Sequence, residues 1–115
     1  MQPPCTFCQI INHETGSSIV YRDERVTAIR DIRPMGPAHV LILPNRHIQS
    51  LNDLGDDDEA LVGYMFSVVR KLAVKEGVAQ SGYRIVINTG DDGGQTVSHL
   101  HVHLIGGRQM HWPPG

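Results

Sequence analysis

The stretch Gly94-Gln95-Thr96-Val97-Ser98-His99-Leu100-His101-Val102-His103-Leu104-Ile105-Gly106-Gly107 decides how the rest of the chain is read. Its histidines recur at every second position, the side-chain period of a β-strand, so His99, His101 and His103 line one face and Leu100, Val102 and Leu104 the other. The apolar row anchors the strand in a core. The imidazole row is left for chemistry, since near neutral pH each ring can be a nucleophile, a proton carrier, a phosphate contact or a metal ligand.

Upstream of this strand, residues 89–94 read as a Gly-rich loop and 83–88 as a strand ending at Asn88. Before them, Leu61, Met65, Val68, Val69 and Leu72 form an apolar stripe at helical spacing. That helix opens at Asp56-Asp57-Asp58-Glu59, where negative charge suits a helix N-terminus, and stops at Gly77. Residues 47–55 read as an irregular connection, and 38–43 as a strongly apolar strand carrying His39 on the face of Leu41 and Leu43. The loop 31–37 is stiffened by Pro34 and Pro37. Runs 19–22 and 26–30 form a hairpin, and 5–12 a short helix presenting Phe7, Ile10 and Ile11, broken at Gly16. The tail 106–115 is too rich in Gly and Pro for regular structure. The order predicts an α+β fold of one domain over 1–115, a five-stranded antiparallel sheet with one long helix and a short N-terminal helix, the helices on one side. A sheet face left bare by one long helix points to a homodimer.

A chain of 115 residues with a formal net charge of −2 and scattered Lys and Arg carries no footprint for long nucleic acid, and a small anionic ligand fits it better. No apolar run approaches the roughly 20 residues of a membrane span, and Met1-Gln2-Pro3-Pro4 does not read as a signal segment, so the expectation is a soluble, cytoplasmic protein without membrane contact. Cys5 and Cys8 form a C-x-x-C pair, which in that compartment reads as reduced thiols or metal ligands.

The histidine row has three readings. It can be a solvated polar face. It can be a catalytic zinc site, although same-face neighbours on a strand lie about 6.5 to 7 Å apart and three in line converge on one ion with difficulty. Or one imidazole is a nucleophile toward phosphorus while its neighbours orient it and move protons. His39 and His47 flanking the other apolar strand, and Gln95, Thr96 and Ser98 as phosphate-bonding side chains before the row, weigh against the solvated face.

The run His99-Leu100-His101-Val102-His103-Leu104-Ile105 matches the pattern His-φ-His-φ-His-φ-φ, with φ apolar, and the chain resembles the Hint-like branch of the histidine triad (HIT) superfamily over nearly its full length. The likeness extends through residues 5–12, Asp31 with Pro34 and Pro37, the segment from His39 to His47, Gly82-Tyr83-Arg84 with Asn88, and the tail. It implies a HIT-like fold and a purine nucleoside 5′-phosphoramidate hydrolase, metal-independent in its chemistry, working through a nucleotidyl-histidine intermediate. Alternatives from the same likeness are a nucleotide-binding adaptor without turnover, and a dinucleoside polyphosphate hydrolase or nucleotidyl transferase. The resemblance makes His101 the nucleophile, with His103, His99 and Thr96 at the phosphate, Asn88 and Gln95 as further contacts and His39 helping to protonate the leaving amine. It places Asp31 on the ribose, Ile29 and Ile32 beside the base, and Trp112 in a partner's site across a homodimer. The implied ligands are AMP and GMP derivatives. No cofactor is implied for catalysis; in some bacterial relatives a pair like Cys5 and Cys8 joins two histidines around a structural zinc, which makes Cys5, Cys8, His47 and His99 the candidate ligands here. Thr96 departs from the serine frequent in the family, and Ile29 from a residue often aromatic there.

Overall fold

The computed structural model describes residues 5–13 and 18–115, so Met1 to Pro4 and the helix break expected at Gly16 lie outside the described residues. In chain order come α1 (Thr6–His13), the hairpin β1 (Ile19–Arg22) and β2 (Val26–Arg30), β3 (Ala38–Pro44), two short 3₁₀ turns, α2 (Glu59–Lys75), β4 (Tyr83–Val86) and β5 (Val102–Gly106). The five strands lie in the order β1-β2-β3-β5-β4, each pair antiparallel.

Alternation along the strands builds two apolar layers. Val26, Ala28, Val40, Ile42, Val102 and Leu104 face Met65, Val68, Val69, Leu72 and Ala73 of α2, and Leu100 joins them. The expected division of the histidine stretch, apolar row to the core and imidazoles away from it, is what this packing requires. On the opposite face Ile29, Leu41 and Leu43 pack against Phe7 and Ile11 of α1. The two helices therefore cover opposite faces, not one. An eight-residue helix is too short to hold itself in water, and docking two apolar side chains, each contributing about 1.5–3 kcal/mol on full burial, gives α1 its stability.

The regular part of the histidine stretch is shorter than its alternation suggests. β5 pairs with β3 only from Val102 opposite Ile42. Ahead of it Leu100 donates its N–H to the carbonyl of Ile48, and the Pro44 carbonyl is taken by the His99 ring. Proline has no N–H for the ladder, and 99–101 lie ahead of β5 without pairing to β3, His99 ending a bend over 97–99. β4, paired to β5, ends at Val86 opposite His103, and Asn88, expected as the last residue of that strand, lies beyond it.

Candidate active site

Backbone partners assign the tautomers of the histidine row. The His99 carbonyl can only accept, so at 2.7 Å it takes the Nδ1–H of His101 and leaves the Nε2 of that ring with its lone pair. His101 is 5% exposed, and Phe7 packs edge-on against it with ring centroids 5.1 Å apart. The result is an imidazole fixed in orientation, whose other nitrogen, Nε2, is the one that can donate electrons.

A second chain of bonds runs through His39. The backbone N–H of Met35 donates to His39 Nδ1 at 3.0 Å, which puts the ring proton on Nε2. That Nε2–H donates to His103 Nδ1 at 3.0 Å and lies 3.3 Å from Asp31 Oδ2. His103, accepting at Nδ1, must carry its proton on Nε2 and is a hydrogen-bond donor. Burial pushes His103 down to about 4, His101 and His39 adding to the effect and Asp31 opposing it, and His39 is lowered by burial against the same carboxylate. Both rings are neutral at pH 7, which these bonds require. Asp31, His39 and His103 also lie close enough to surround an ion. Met35 already occupies the one lone pair of His39, so that ring cannot ligate through Nε2 while the bond stands.

His101 and His103 open onto a cleft of about 300 Å³ whose walls include Phe7, Ile10, Ile29, Asp31, Ile32 and Thr96. Thr96 is exposed at its edge and Ile32 is 89% exposed. Asp31 sits half-buried, its Oδ1 accepting the N–H of Arg33 at 2.8 Å. His39, 5% exposed, does not line the cleft and reaches it only through His103. Asn88 is half-buried and outside the lining; continuing the pairing of Val86 with His103 brings it opposite His101.

Gln95 has another occupation. Its amide donates to the carbonyls of Gln49 and Val97 at 2.6 and 3.0 Å and accepts the N–H of Gly90 at 3.1 Å, which ties the loop to the turn after β3. The N–H groups of Gly94 and Gln95 bond back to Asp91 and Gly90. These N–H groups thus close the turn instead of facing an anion, and a Cβ on Gly93 would meet the Thr89 carbonyl oxygen at 2.4 Å. Trp112 is 87% exposed and does not line this cleft.

His99 belongs to a different cluster. Its Nε2–H donates to the Pro44 carbonyl at 2.8 Å, so Nδ1 carries the lone pair, 3.4 Å from Cys5 Sγ and 3.5 Å from Cys8 Sγ. His47 Nδ1 lies 3.2 Å from Cys8 Sγ, and the four ligand atoms all fall within 4.8 Å of one another. Bond lengths of about 2.3 Å to sulfur and 2.0–2.1 Å to nitrogen give a tetrahedral S···N edge of about 3.6 Å, close to these separations. Burial, then the hydrogen bond and charge of Cys5, pushes the Cys8 thiol up to about 11. A cation among the four atoms would reverse that penalty, and the Pro44 carbonyl holding the far nitrogen of His99 is the outer partner that a metal-binding histidine commonly has. The donor set and spacing fit zinc.

Phe7 and Ile10 line the cleft although nothing in their own sequence marks them, since a Phe-x-x-Ile-Ile pattern reads as plain docking surface. The signal lay beside them: if Cys5 and Cys8 approach His99, the residue between them must sit against His101.

Comparison with known proteins agrees with this geometry. Residues 12–110 match the HIT domain. A purine nucleoside phosphoramidase from Escherichia coli is 48% identical over 104 residues, covering 90% of this chain and 87% of the relative. A 14 kDa zinc-binding protein from Zea mays is 47% identical, covering 97% and 88%. The crystal structure of a HIT family hydrolase from Legionella pneumophila superposes with a TM-score of 0.94 at 47% identity, covering 97% of this chain and all of that one. The chain belongs to the HIT domain family. Within it, the chain is similar to HIT family hydrolases and to a purine nucleoside phosphoramidase, in keeping with the Hint-like branch.

Proposed function

We propose that the protein hydrolyses purine nucleoside 5′-phosphoramidates through a covalent nucleotidyl-His101 intermediate. The observation that carries this is the bond from His101 Nδ1–H to the His99 carbonyl, which leaves Nε2 as a lone pair facing a cleft with an apolar wall and a donor imidazole. In the first step His101 Nε2 forms a bond to phosphorus, the phosphorus–nitrogen bond of the substrate breaks, and the amine departs carrying a proton. In the second, water adds to phosphorus, the bond to Nε2 breaks, and the nucleoside monophosphate leaves with His101 neutral again. An amine departs readily only when protonated; that proton is taken from solvent water, and His103 Nε2–H and the Thr96 hydroxyl line the cleft as hydrogen-bond donors and not as proton sources. His103 also donates to the phosphoryl oxygens as charge builds on them.

Ile10, Ile29, Ile32 and Phe7 suit the flat apolar faces of a purine, and Asp31 the hydroxyls of a ribose. Asn88, His99 and Gln95 take supporting places, the first beside the phosphate and the other two behind the nucleophile and its loop. Cys5, Cys8, His47 and His99 hold a structural zinc in this reading; such an ion supplies cross-linking and no reaction step, tying α1 to the strand that carries the nucleophile. Tyr83 on the edge strand β4 and the exposed Trp112 mark the surface on which a homodimer would form.

Mass spectrometry of the protein quenched during turnover of adenosine 5′-phosphoramidate tests the proposal. It expects AMP attached at His101. Binding of the nucleotide with no turnover of any phosphoramidate would instead make the protein an adaptor.

A further inference from the structure

Asp31 faces two ways. Its carboxylate lines the cleft among Ile29 and Ile32, and its Oδ2 stands 3.3 Å from the same His39 Nε2–H that His103 Nδ1 accepts at 3.0 Å. Its backbone is fixed at that post, because the Asp31 N–H donates to the His39 carbonyl at 3.0 Å and Oδ1 holds the Arg33 N–H. The Nε2–H is thus hydrogen-bonded to one acceptor and stands within ion-pair distance of a second, the carboxylate, which competes for it by charge. His39 cannot avoid this competition by moving the proton to its other nitrogen, which the Met35 N–H occupies.

We propose that this proton, held by His103 and pulled by Asp31, is a ribose sensor: hydroxyls of the bound sugar, by donating to Asp31, weaken the carboxylate's pull and strengthen the His39 Nε2–H bond to His103. The inference rests on the hydrolase reading above and adds a regulation to it. A carboxylate receiving two hydroxyl donors has less charge to offer a third, so the proton settles on the imidazole. Chains of hydrogen bonds polarise one another, and a stronger bond into His103 Nδ1 makes its Nε2–H a better donor to the phosphoryl group. Asp31 thereby converts sugar binding into catalytic power at the neighbouring phosphate end of the same cleft, and His39 is the positioning residue between Asp31 and His103. A vicinal diol should raise kcat as well as lower KM, which a group used for uniform binding alone would not do.

The test compares adenosine 5′-phosphoramidate with its 2′,3′-dideoxy analogue in the wild type and in Asp31→Ala. The expected result is a kcat about fivefold lower for the dideoxy substrate in the wild type, beyond any rise in KM, shrinking to less than about twofold in Asp31→Ala. A change confined to KM would overturn the proposal and leave the hydrolase reading intact. A second measurement needs neither turnover nor a variant: the His39 Nε2–H resonance in ¹⁵N-histidine-labelled protein, followed while adenosine or 2′,3′-dideoxyadenosine is added to saturation. Adenosine should move it downfield and the dideoxynucleoside should not. Equal shifts would refute the competition between Asp31 and His103, whatever the enzyme assay gives. Absence of turnover with both substrates would instead remove the hydrolase reading, and the resonance would still decide whether Asp31 and His103 compete.

Discussion

Replacing His39 by alanine separates two roles that the residue could have, because their magnitudes differ. In the structure His39 is buried, presents its Nε2–H to His103 and takes the Met35 N–H on its other nitrogen. His39→Ala removes one neutral hydrogen bond from His103 and leaves the Met35 N–H without its partner. The first loss is about 1 kcal/mol and the second about 1–3, so stability should fall by about 2–4 kcal/mol. On turnover the loss is that of orientation: His103 is no longer held as an Nε2–H donor, a deficit of about 1 kcal/mol or somewhat more, or about tenfold in kcat. Removing a true proton donor costs about 10²–10⁴-fold instead. We therefore predict that His39→Ala, assayed on adenosine phosphoramidates at a temperature where urea titration shows it folded, loses about tenfold in kcat. His39→Gln, which keeps an N–H in place, should recover part of it. A loss of about a thousandfold in folded protein, relieved when the leaving amine is a weakly basic aryl amine that needs no proton, would refute the positioning role and make His39 the general acid.

Other expectations follow from the same geometry. His101→Ala should abolish covalent labelling by the nucleotide and lower turnover by several orders of magnitude, on the order of 10⁴ or more, while nucleotide affinity measured by calorimetry stays within about tenfold; full activity would end the proposal for this ring. Cys8→Ser should lower bound zinc well below one per chain by atomic absorption and lower the melting temperature, since it breaks the ligand set that ties α1 to His99; unchanged metal content would refute the tetrahedral site. Stability should fall in acid. His103, at about 4 against an ordinary 6.5, binds its proton later in the folded than in the unfolded state, so its contribution is full above about 6.5 and is lost as pH falls toward 4. Asp23 adds a second loss between 3.8 and about 2: burial works against its charge, but the Tyr21 and Tyr64 hydroxyls and the N–H groups of Arg25 and Val26 outweigh it. A urea midpoint that stays flat from pH 7 to pH 4 would contradict the buried neutral imidazole.

The two-residue period of the histidine stretch was enough to set Leu100, Val102 and Leu104 against the helix and the imidazoles away from it. Helical spacing from Leu61 to Leu72 likewise placed α2, which buries Met65, Val68, Val69 and Leu72 as that spacing requires. Strand ends were not legible, because they depend on a neighbour: β5 begins where β3 stops being able to pair, at Pro44. Nor was the face chosen by α1. Phe7 and Ile11 would serve either layer, and what selects the histidine face is the space beside Ile29 and Leu41 together with the approach of Cys5 and Cys8 to His99.

Local alternation and residue type, which sequence alone carries, determined that three imidazoles share a face and that one of them could act on phosphorus. Tertiary structure decided what each ring can do. A histidine's chemistry depends on which nitrogen holds its proton, and the partners that set this are distant in the chain: the Pro44 carbonyl for His99, and His39, itself held by Met35, for His103. Only for His101 is the deciding partner local, two residues back at His99. That is why the proton placement on His101 follows from its own stretch of chain and that on His99 and His103 does not.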